Sequence, residues 1–257
     1  MAVSHARTTG GPRSMLRTDP RPEAHTALYC LPHAGGAASA YRDWPRHLPG
    51  WLEVVAVQLP GRENRVTEAA VVSPEDTAAA VAADLSERPD RSVALFGHSM
   101  GGLLAFEVAR LLDRDGCPAL VGLFVSGSDH PVATGHSGPP VSRLSDTELL
   151  AWAVALGGMP AWVAAEPQMH ELVLPVLRAD CAWLEGHVYR SAAPLACPIT
   201  VVAGEADPCV GAAGLQAWRR ETTGAFQVRR HAGGHFYTDG SLSEVLRGLA
   251  DDLRGWL

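Results

Sequence analysis

Residues 93–102 read VALFGHSMGG and decide how this chain folds. The apolar segment Val93–Phe96 is typical of a buried strand, and a GxSxG pattern centred on Ser99 follows it directly. The apolar residues that come next contain few helix breakers and predict a buried helix. Gly97 and Gly101 suit a turn in which strand and helix pass too closely for a Cβ atom. The stretch therefore predicts a nucleophile elbow with Ser99 as candidate catalytic serine, rather than an ordinary strand-to-helix turn.

The composition of the chain excludes several classes of chemistry. Its 257 residues are 47% apolar and 19% charged, which is typical of one large α/β domain. All 21 basic side chains are arginines. A Walker A phosphate loop, a Schiff-base site and a Ser–Lys dyad each require a lysine amine, so none of the three is expected. The formal net charge of -7 also argues against nucleic-acid binding.

Cysteine usage and hydropathy indicate the compartment. The five cysteines are widely spread without CxxC spacing, which argues against a disulfide framework and a metal site and suits a reducing cytoplasm. No segment is long and apolar enough for a signal-peptide core or a membrane span, so we expect no membrane association. Residues 1–25 are rich in Gly, Pro, Ser and Thr and are expected to form a loose tail before a folded domain at 26–257.

Short β-rich segments alternate with helical ones along the domain. Strands are expected at 27–31, 53–59, 92–96, 120–126, 198–203 and 226–231, with helices at about 39–47 and, capped by Ser73, at 74–86. This alternation requires right-handed crossovers and predicts a mainly parallel sheet covered by helices on both faces. Ligands of such sheets bind beyond the carboxyl ends of the strands, which is where Ala34, Ser99, Asp207 and His235 all fall.

Residues 131–190 interrupt the alternation and are expected to form a helical lid over the cleft. Ser145 and Glu148 form a capping-box pattern that opens a helix to about Leu156, and a second helix is expected at about 167–189. The large apolar side chains of this segment either line an acyl pocket or pack the lid helices together, and packing is expected for most of them. They are Trp152, Met159, Trp162, Met169 and Trp183.

A serine hydroxyl is a poor nucleophile at neutral pH, so Ser99 requires a general base, and the base requires an acid that orients it. His235 follows the last predicted strand on a Gly-rich loop that can lean over the elbow, whereas His231 is better placed to end that strand. Their HxxxH spacing does not indicate a zinc helix, because the two glycines between them break a helix. The acid is expected after a strand, between serine and histidine in chain order. Asp207 and Asp129 both meet this condition.

The oxyanion of a tetrahedral intermediate requires two N–H donors. In this architecture one comes from the residue after the nucleophile and one from the loop after the first strand, which here are Met100 and Ala34. Gly35 and Gly36 suit the backbone geometry of that loop, and His33 braces it.

Seven short motifs occur together in one order along the chain. They are PHAGG at 32–36, QLPGRE at 58–63, GHSMGG at 97–102, LSD at 144–146, LPVLRAD at 174–180, GEAD at 204–207 and GGHF at 233–236. In this combination the chain, over about residues 27–256, resembles the type II thioesterases of polyketide and nonribosomal peptide assembly lines. The resemblance implies an α/β-hydrolase fold with a mobile lid, a triad of Ser99, His235 and Asp207, and oxyanion donors at Ala34 and Met100.

The resemblance also implies a reaction and its partners. The expected activity is hydrolysis of misloaded acyl groups from the phosphopantetheine arm of acyl carrier protein or peptidyl carrier domains, with no cofactor and no metal. A carboxylesterase or lipase with the same triad, and a non-catalytic receptor or scaffold of this fold, are the alternatives. Because such carriers are often acidic, as this chain is, Arg62, Arg65 and Arg178 are candidates for carrier docking near the cleft; the alternative is that they are solvated surface charges.

Overall fold

The structure is a computed structural model that describes residues 14–87, 90–116, 120–132 and 140–257. Within these residues seven strands form one sheet in the order β1-β3-β2-β4-β5-β6-β7. The strands are β1 (Met15–Leu16), β2 (Thr26–Leu31), β3 (Leu52–Val57), β4 (Ser92–His98), β5 (Leu120–Ser126), β6 (Ile199–Gly204) and β7 (Phe226–His231). Strands β2 to β7 are parallel, and β1 pairs antiparallel with β3 at the edge. The mainly parallel sheet predicted from the sequence is confirmed.

Helices cover both faces of this sheet. They are α1 (Pro74–Ser86), α2 (Met100–Arg114), α3 (Asp146–Leu156), α4 (Ala161–Ala165), α5 (Pro167–Gly186), α6 (Ala212–Ala217) and α7 (Thr238–Trp256). One apolar cluster joins the sheet to α1, α2 and α6, and a second joins the opposite face to α7. In α7 the buried residues Leu246, Leu249 and Leu253 repeat at helical spacing and form the stripe that packs on the sheet. Among the described helices, none has the length and apolar content needed to cross a membrane.

The register of the sheet brings four loops to one edge. Strands β2, β3 and β6 are buried at every residue, as expected where helices cover both faces. Cys30 of β2 lies beside Ala56 of β3 and Phe96 of β4, so these strands end at about the same level. The loops that carry the four candidate site residues follow β2, β4, β6 and β7, and all leave the sheet at its carboxyl edge.

Several helices differ from the sequence prediction. The helix expected at 39–47 is instead two 3-10 turns, Ala38–Tyr41 and Trp44–His47. Pro45 lies in the second turn, and its missing N–H prevents a continuous α-helix there. Helices α4 and α6, which have only 5 and 6 residues, were not predicted. Helix α5 ends at Gly186, three residues before the expected end.

The N-terminal segment also differs from expectation, because the part predicted as a loose tail includes structured residues. Met15–Leu16 adds an edge strand to the sheet. The backbone N–H of Arg21 donates to the Glu53 carboxylate at 2.7 Å, and its guanidinium donates to the carbonyl oxygen of Leu52 at 2.9 Å. These contacts tie the segment from residue 14 onward to the domain, while residues 1–13 lie outside the described residues.

Helices α3, α4 and α5 form the insertion between β5 and β6. The predicted capping box is present: Ser145 Oγ accepts the backbone N–H of Glu148, and the Glu148 carboxylate accepts the N–H of Ser145 at 2.9 Å. Helix α3 ends at Leu156 and is capped by Gly157, whose φ of 92° is left-handed. The helices bury a small apolar cluster of their own, and Ala34 of the loop after β2 packs against it. The insertion therefore lies over the edge of the sheet where the candidate site residues meet. Residues 133–139, which belong to the lid predicted at 131–190, lie outside the described residues.

Candidate active site

The turn after β4 holds Ser99 in a strained backbone conformation. Its φ of 55° and ψ of -118° lie outside the regions that residues with a Cβ atom normally occupy. A Cβ atom at Gly97 would lie 1.8 Å from the carbonyl oxygen of Gly101, and one at Gly101 would lie 2.2 Å from that of Leu31. Only glycine fits at these two positions, because α2 passes very close to β4 at Gly97 and to the end of β2 at Gly101. The turn has the geometry of a nucleophile elbow, with Ser99 at its tip.

His235 and Asp207 form a buried hydrogen-bonded pair. His235 Nδ1 lies 2.9 Å and 3.0 Å from the two carboxylate oxygens, and both side chains are almost completely buried. The backbone N–H of Cys209 donates to Asp207 Oδ1 at 2.8 Å. Burial by itself lowers the pKa of His235, but the Asp207 hydrogen bonds and the neighbouring Cys209 thiol together raise that pKa to about 9. Since Nδ1 is occupied by Asp207, Nε2 is the ring nitrogen left for proton transfer.

Ser99 and His235 line the same small cavity beneath the insertion. Its volume is about 40 Å³, and Trp152 and Met159 of the insertion form part of its wall. Pockets that hold drug-sized ligands have volumes of roughly 300–1,000 Å³. Two larger surface clefts, of about 370 and 620 Å³, contain neither Ser99 nor His235. The insertion therefore nearly closes the space above the serine.

The other large apolar side chains of the insertion lie away from this cavity. Trp162 has 65% of its surface exposed. Trp183 packs against the apolar cluster that joins the sheet to α2, and Met169 is partly buried. Of the five side chains considered from the sequence, Trp152 and Met159 are thus the two that face the candidate site.

The alternative acid and base have other partners. Both carboxylate oxygens of Asp129 lie 3.1 Å from the backbone nitrogen of Gly211, at the start of α6. His231 ends β7, where its Nδ1 lies 3.3 Å from the Glu244 carboxylate and its ring stacks on Tyr237. His235 takes its carboxylate from Asp207 instead. The hydrogen bonds thus distinguish Asp207 from Asp129 and His235 from His231, which chain order alone did not.

The loop after β2 places Ala34 at the cavity wall. The N–H of Gly36 donates to the His33 carbonyl oxygen at 2.9 Å, and Gly35 has a left-handed φ of 75°, so residues 33–36 form a tight turn. Met100 is the first residue of α2, a position whose N–H has no acceptor within the helix. Both predicted oxyanion donors therefore belong to segments that border Ser99, and a helix N-terminus favours negative charge.

The docking role predicted for Arg62 is wrong, because this arginine is buried. Its side chain is 5% exposed and donates two hydrogen bonds of 2.8 Å to Asp180. Arg65 is mostly buried and forms a two-bonded ion pair with Glu68. Arg178 donates to carbonyl oxygens of the segment before α3 and to a carboxylate of that helix. All three guanidinium groups are held by contacts within the chain.

Two buried polar groups beside the site were not assigned a role from the sequence. His98 Nδ1 lies 2.8 Å from Ser126 Oγ, which lies 2.6 Å from the hydroxyl of Tyr237. Burial, with the neighbouring His235, holds the pKa of His98 well below its usual value, so its ring is neutral. Asp180 binds the loop after β2 from α5, 145 residues away in sequence. No local spacing predicts a contact over that separation.

One group of possible metal ligands occurs within the described residues. Ligand atoms of Asp207, Cys209 and His235 lie within 4.8 Å of one another. Two of these side chains are the hydrogen-bonded pair described above, so their proximity follows from that interaction.

Comparison with known proteins gives consistent matches over almost the whole domain. The model of the Thioesterase domain family matches residues 26–253. Thioesterase PikA5 of Streptomyces venezuelae is 36% identical over 238 residues, which cover 92% of this chain and 84% of that protein. Gramicidin S biosynthesis protein GrsT of Aneurinibacillus migulanus is 34% identical over 231 residues, or 90% of each chain.

Solved structures agree with this result. The thioesterase RedJ from the prodiginine biosynthetic pathway of Streptomyces coelicolor is 40% identical, covers 91% of this chain and 92% of its own, and superposes with a TM-score of 0.82. The type II thioesterase BorB from the borrelidin biosynthetic cluster is 35% identical, with 96% and 100% coverage and a TM-score of 0.83. The expected α/β-hydrolase fold is confirmed. With a family match from the first residue of β2 into the last turn of α7, this chain belongs to the thioesterase domain family, and its relatives include type II thioesterases of polyketide and nonribosomal peptide pathways.

Proposed function

We propose that this protein is a serine thioesterase that removes misloaded or stalled acyl groups from the phosphopantetheine arm of carrier domains in polyketide or nonribosomal peptide biosynthesis. The observation that carries the proposal is the buried His235–Asp207 pair, whose histidine lines one cavity with the strained Ser99. Family membership supports thioester hydrolysis, and the relatives from antibiotic pathways support carrier-bound substrates.

In the first half of the reaction Asp207 accepts a hydrogen bond from the Nδ1–H of His235. This bond keeps the proton on Nδ1 and directs the lone pair of Nε2 towards the serine. Ser99 Oγ gives its proton to Nε2 as the oxygen attacks the carbonyl carbon of the thioester. The resulting oxyanion accepts hydrogen bonds from the N–H groups of Ala34 and Met100. Loss of one such donor typically slows catalysis about 100- to 1,000-fold.

In the second half the C–S bond breaks and the pantetheine thiolate takes the proton from His235. Neutral His235 then removes a proton from a water molecule as the water oxygen attacks the carbonyl carbon of the acyl-enzyme. When the C–O bond to Ser99 breaks, His235 returns the proton to Ser99 Oγ and the free acid leaves. Burial lowers the pKa of the neighbouring His33 to about 4, and the positive charges of His235 and Arg62 act in the same direction. His33 is therefore neutral and does not oppose formation of the His235 imidazolium.

Substrate entry requires the insertion to move. A cavity of about 40 Å³ has no room for an acyl chain together with a pantetheine thioester. Trp152 and Met159, which close that cavity, belong to α3 and to the turn after it. The insertion thus serves as a lid that opens when the arm of the carrier enters.

The proposed location is the cytoplasm. The cysteines within the described residues are free thiols, as expected in a reducing compartment. They are Cys30, Cys181, Cys197 and Cys209.

The test is hydrolysis of acyl groups from a carrier domain. A phosphopantetheinylated acyl carrier protein loaded with acetyl, propionyl or longer acyl groups is incubated with the full chain, and loss of the acyl mass is followed by intact-protein mass spectrometry. We expect wild type to deacylate the carrier and Ser99→Ala to be inactive, because only the attacking hydroxyl is removed. Ser86→Ala, an exposed serine at the end of α1, is the matched control and should behave as wild type.

Two further measurements separate the alternative functions. Faster turnover of p-nitrophenyl esters than of acyl-pantetheine or acyl-carrier substrates would indicate a carboxylesterase and overturn the proposal. Failure of a fluorophosphonate probe to label Ser99 would indicate a non-catalytic receptor. Wild-type activity in Ser99→Ala would overturn the mechanism.

A further inference from the structure

A completely buried carboxylate lies between the lid and the oxyanion loop, which we define as residues 33–36. Asp180, in the second half of α5, has no exposed side-chain surface. Its Oδ2 accepts the backbone N–H of Gly35 at 2.7 Å and a guanidinium N–H of Arg62 at 2.8 Å, and its Oδ1 accepts a second one at 2.8 Å. A buried carboxylate is tolerated only when such charge-assisted bonds replace its water. The position of Asp180 is therefore tightly defined.

Arg62 holds the other side of the same loop. The guanidinium nitrogen Nη1, which donates to Asp180 Oδ2, also donates to the carbonyl oxygen of Gly36 at 2.9 Å. Gln58 supports the arginine by donating to its carbonyl oxygen at 2.8 Å, while the Gln58 side-chain oxygen accepts the N–H of Ala38 at 2.7 Å. The Asp180–Arg62 pair thus binds a donor and an acceptor of the oxyanion loop at once.

These bonds determine the orientation of the peptide groups around Ala34. The N–H of Gly35 belongs to the peptide that follows Ala34, so the bond to Asp180 fixes that peptide. On the other side, the His33 carbonyl oxygen, which belongs to the same peptide as the N–H of Ala34, accepts the N–H of Gly36. A Cβ atom at Gly35 would also lie 3.1 Å from Leu177 of α5, so the helix packs directly on the loop. The direction of the Ala34 N–H therefore depends on the position of α5 against the oxyanion loop.

We propose that Asp180 is a positioning residue for the oxyanion donor Ala34, and that through its bond to Gly35 the lid helix α5 orients the oxyanion hole. The proposal rests on the serine-hydrolase mechanism above and adds a dependence of that mechanism on the lid. Helix α5 contains Pro175, which interrupts its hydrogen-bond ladder between an exposed first half and the buried half that carries Asp180. The buried second half is the part of α5 that contacts the oxyanion loop, so a displacement of that half would change the direction of the Ala34 N–H.

The test is Asp180→Asn, which keeps the shape of the side chain but presents an NH₂ group to donors of Arg62 or Gly35. The primary readout is the rate at which a fluorophosphonate labels Ser99, since phosphonylation requires the nucleophile and the oxyanion hole but no carrier. We expect labelling and kcat for an acyl-pantetheine to fall by the same factor, about 10- to 100-fold, with KM nearly unchanged. The affinity for a trifluoromethyl ketone, which forms an oxyanion on Ser99, should fall in parallel.

Two variants guard against a merely structural effect. Glu221→Gln changes another buried carboxylate, which binds His130 and Tyr189 away from the loop, and should leave labelling and kcat at wild-type values even if it lowers the unfolding temperature. Arg62→Lys keeps the charge but loses the two-pronged contact, and should give a smaller loss than Asp180→Asn. If Asp180→Asn does not fold, the same labelling and kcat measurements are made on Arg62→Lys.

Several outcomes would overturn the proposal. The first is labelling of Ser99 at the wild-type rate in Asp180→Asn or, where that variant does not fold, in Arg62→Lys. The second is a change confined to KM. The third is a loss of labelling rate and kcat in Glu221→Gln as large as in Asp180→Asn, at an equal loss of stability. Failure of the carrier assay with normal Ser99 labelling in wild type would instead count against the proposed substrate and leave this test intact.

Discussion

Replacing Asp207 by asparagine tests how the proposed base is oriented. The carboxylate accepts His235 Nδ1 at 2.9 and 3.0 Å, and its Oδ1 also accepts the N–H of Cys209 at 2.8 Å. An asparagine that keeps the Cys209 bond through its carbonyl oxygen must turn its NH₂ group towards Nδ1. Two donors then face each other unless the imidazole moves its proton to Nε2.

A proton on Nε2 prevents His235 from accepting the proton of Ser99. The neutral amide also fails to stabilise the imidazolium that forms during attack. We therefore expect kcat for an acyl-pantetheine to fall about 10,000-fold, which corresponds to about 5 kcal/mol of activation free energy. Asp129→Asn is the matched control, because the hydrogen-bond partner of its carboxylate among the described residues is a backbone N–H at the start of α6, and kcat should stay within a few-fold of wild type.

Initial rates at saturating acyl-pantetheine, measured beside thermal unfolding of each variant, decide the question. A larger loss of kcat in Asp129→Asn than in Asp207→Asn would move the acid to the loop after β5. A loss of less than about tenfold in Asp207→Asn, at unchanged stability, would refute the argument from the imidazole tautomer.

The other predictions concern pH and the lid. Because only neutral His235 accepts the serine proton and its pKa is raised to about 9, kcat/KM should climb from pH 6.5 to about 9; a profile already flat at pH 7 would contradict this. Cys209→Ala removes one cause of that shift and should move the midpoint to lower pH. The pair of Asp207 and His235 contributes its full stability below pH 6.5 and loses it as the pH rises through about 9, so the unfolding temperature should fall over this interval in wild type and less in Asp207→Asn. Backbone amides of α4 and of α5 before Pro175 should exchange faster than those of β4, and uniform protection would argue against a gate.

The positions of the parallel strands were predictable because helices cover both faces of the sheet. Most of these strands are apolar runs bounded by turn residues, and Leu120–Ser126 occupies the residues expected for it. The last strand, Phe226–His231, also lies where it was expected, although it carries polar residues and is only partly buried. The edge strand Met15–Leu16 is too short for such a pattern, and its pairing with β3 depends on contacts far along the chain. The segment 39–47 was predicted as one helix, and the structure has two 3-10 turns there because Pro45 has no N–H to donate to a continuous helix.

The sequence by itself determined the nucleophile elbow, because the close passage of β4 and α2 is a local steric requirement that Gly97 meets two residues before Ser99. The close contact of Gly101 is with Leu31 at the end of β2, which only the folded sheet brings next to α2. The sequence also placed the candidate acid and base after strands, since chain order in a parallel sheet dictates which loops share an edge. Chain order by itself did not decide between Asp207 and Asp129 as the acid. That choice depends on which carboxylate the folded chain brings to His235, and the partner is Asp207, 28 positions away.

Tertiary structure alone decided what the arginines do. Arg62 lies in a loop after β3, a position at which a charged side chain is expected to face solvent. It is instead paired with Asp180, 118 residues later in the lid. Burial of both groups depends on how α5 packs over the loop after β2, and no local pattern encodes that packing. A charge is expensive to bury without a partner, so the position of the partner, which only the folded chain supplies, decides whether an arginine faces solvent or organises a site.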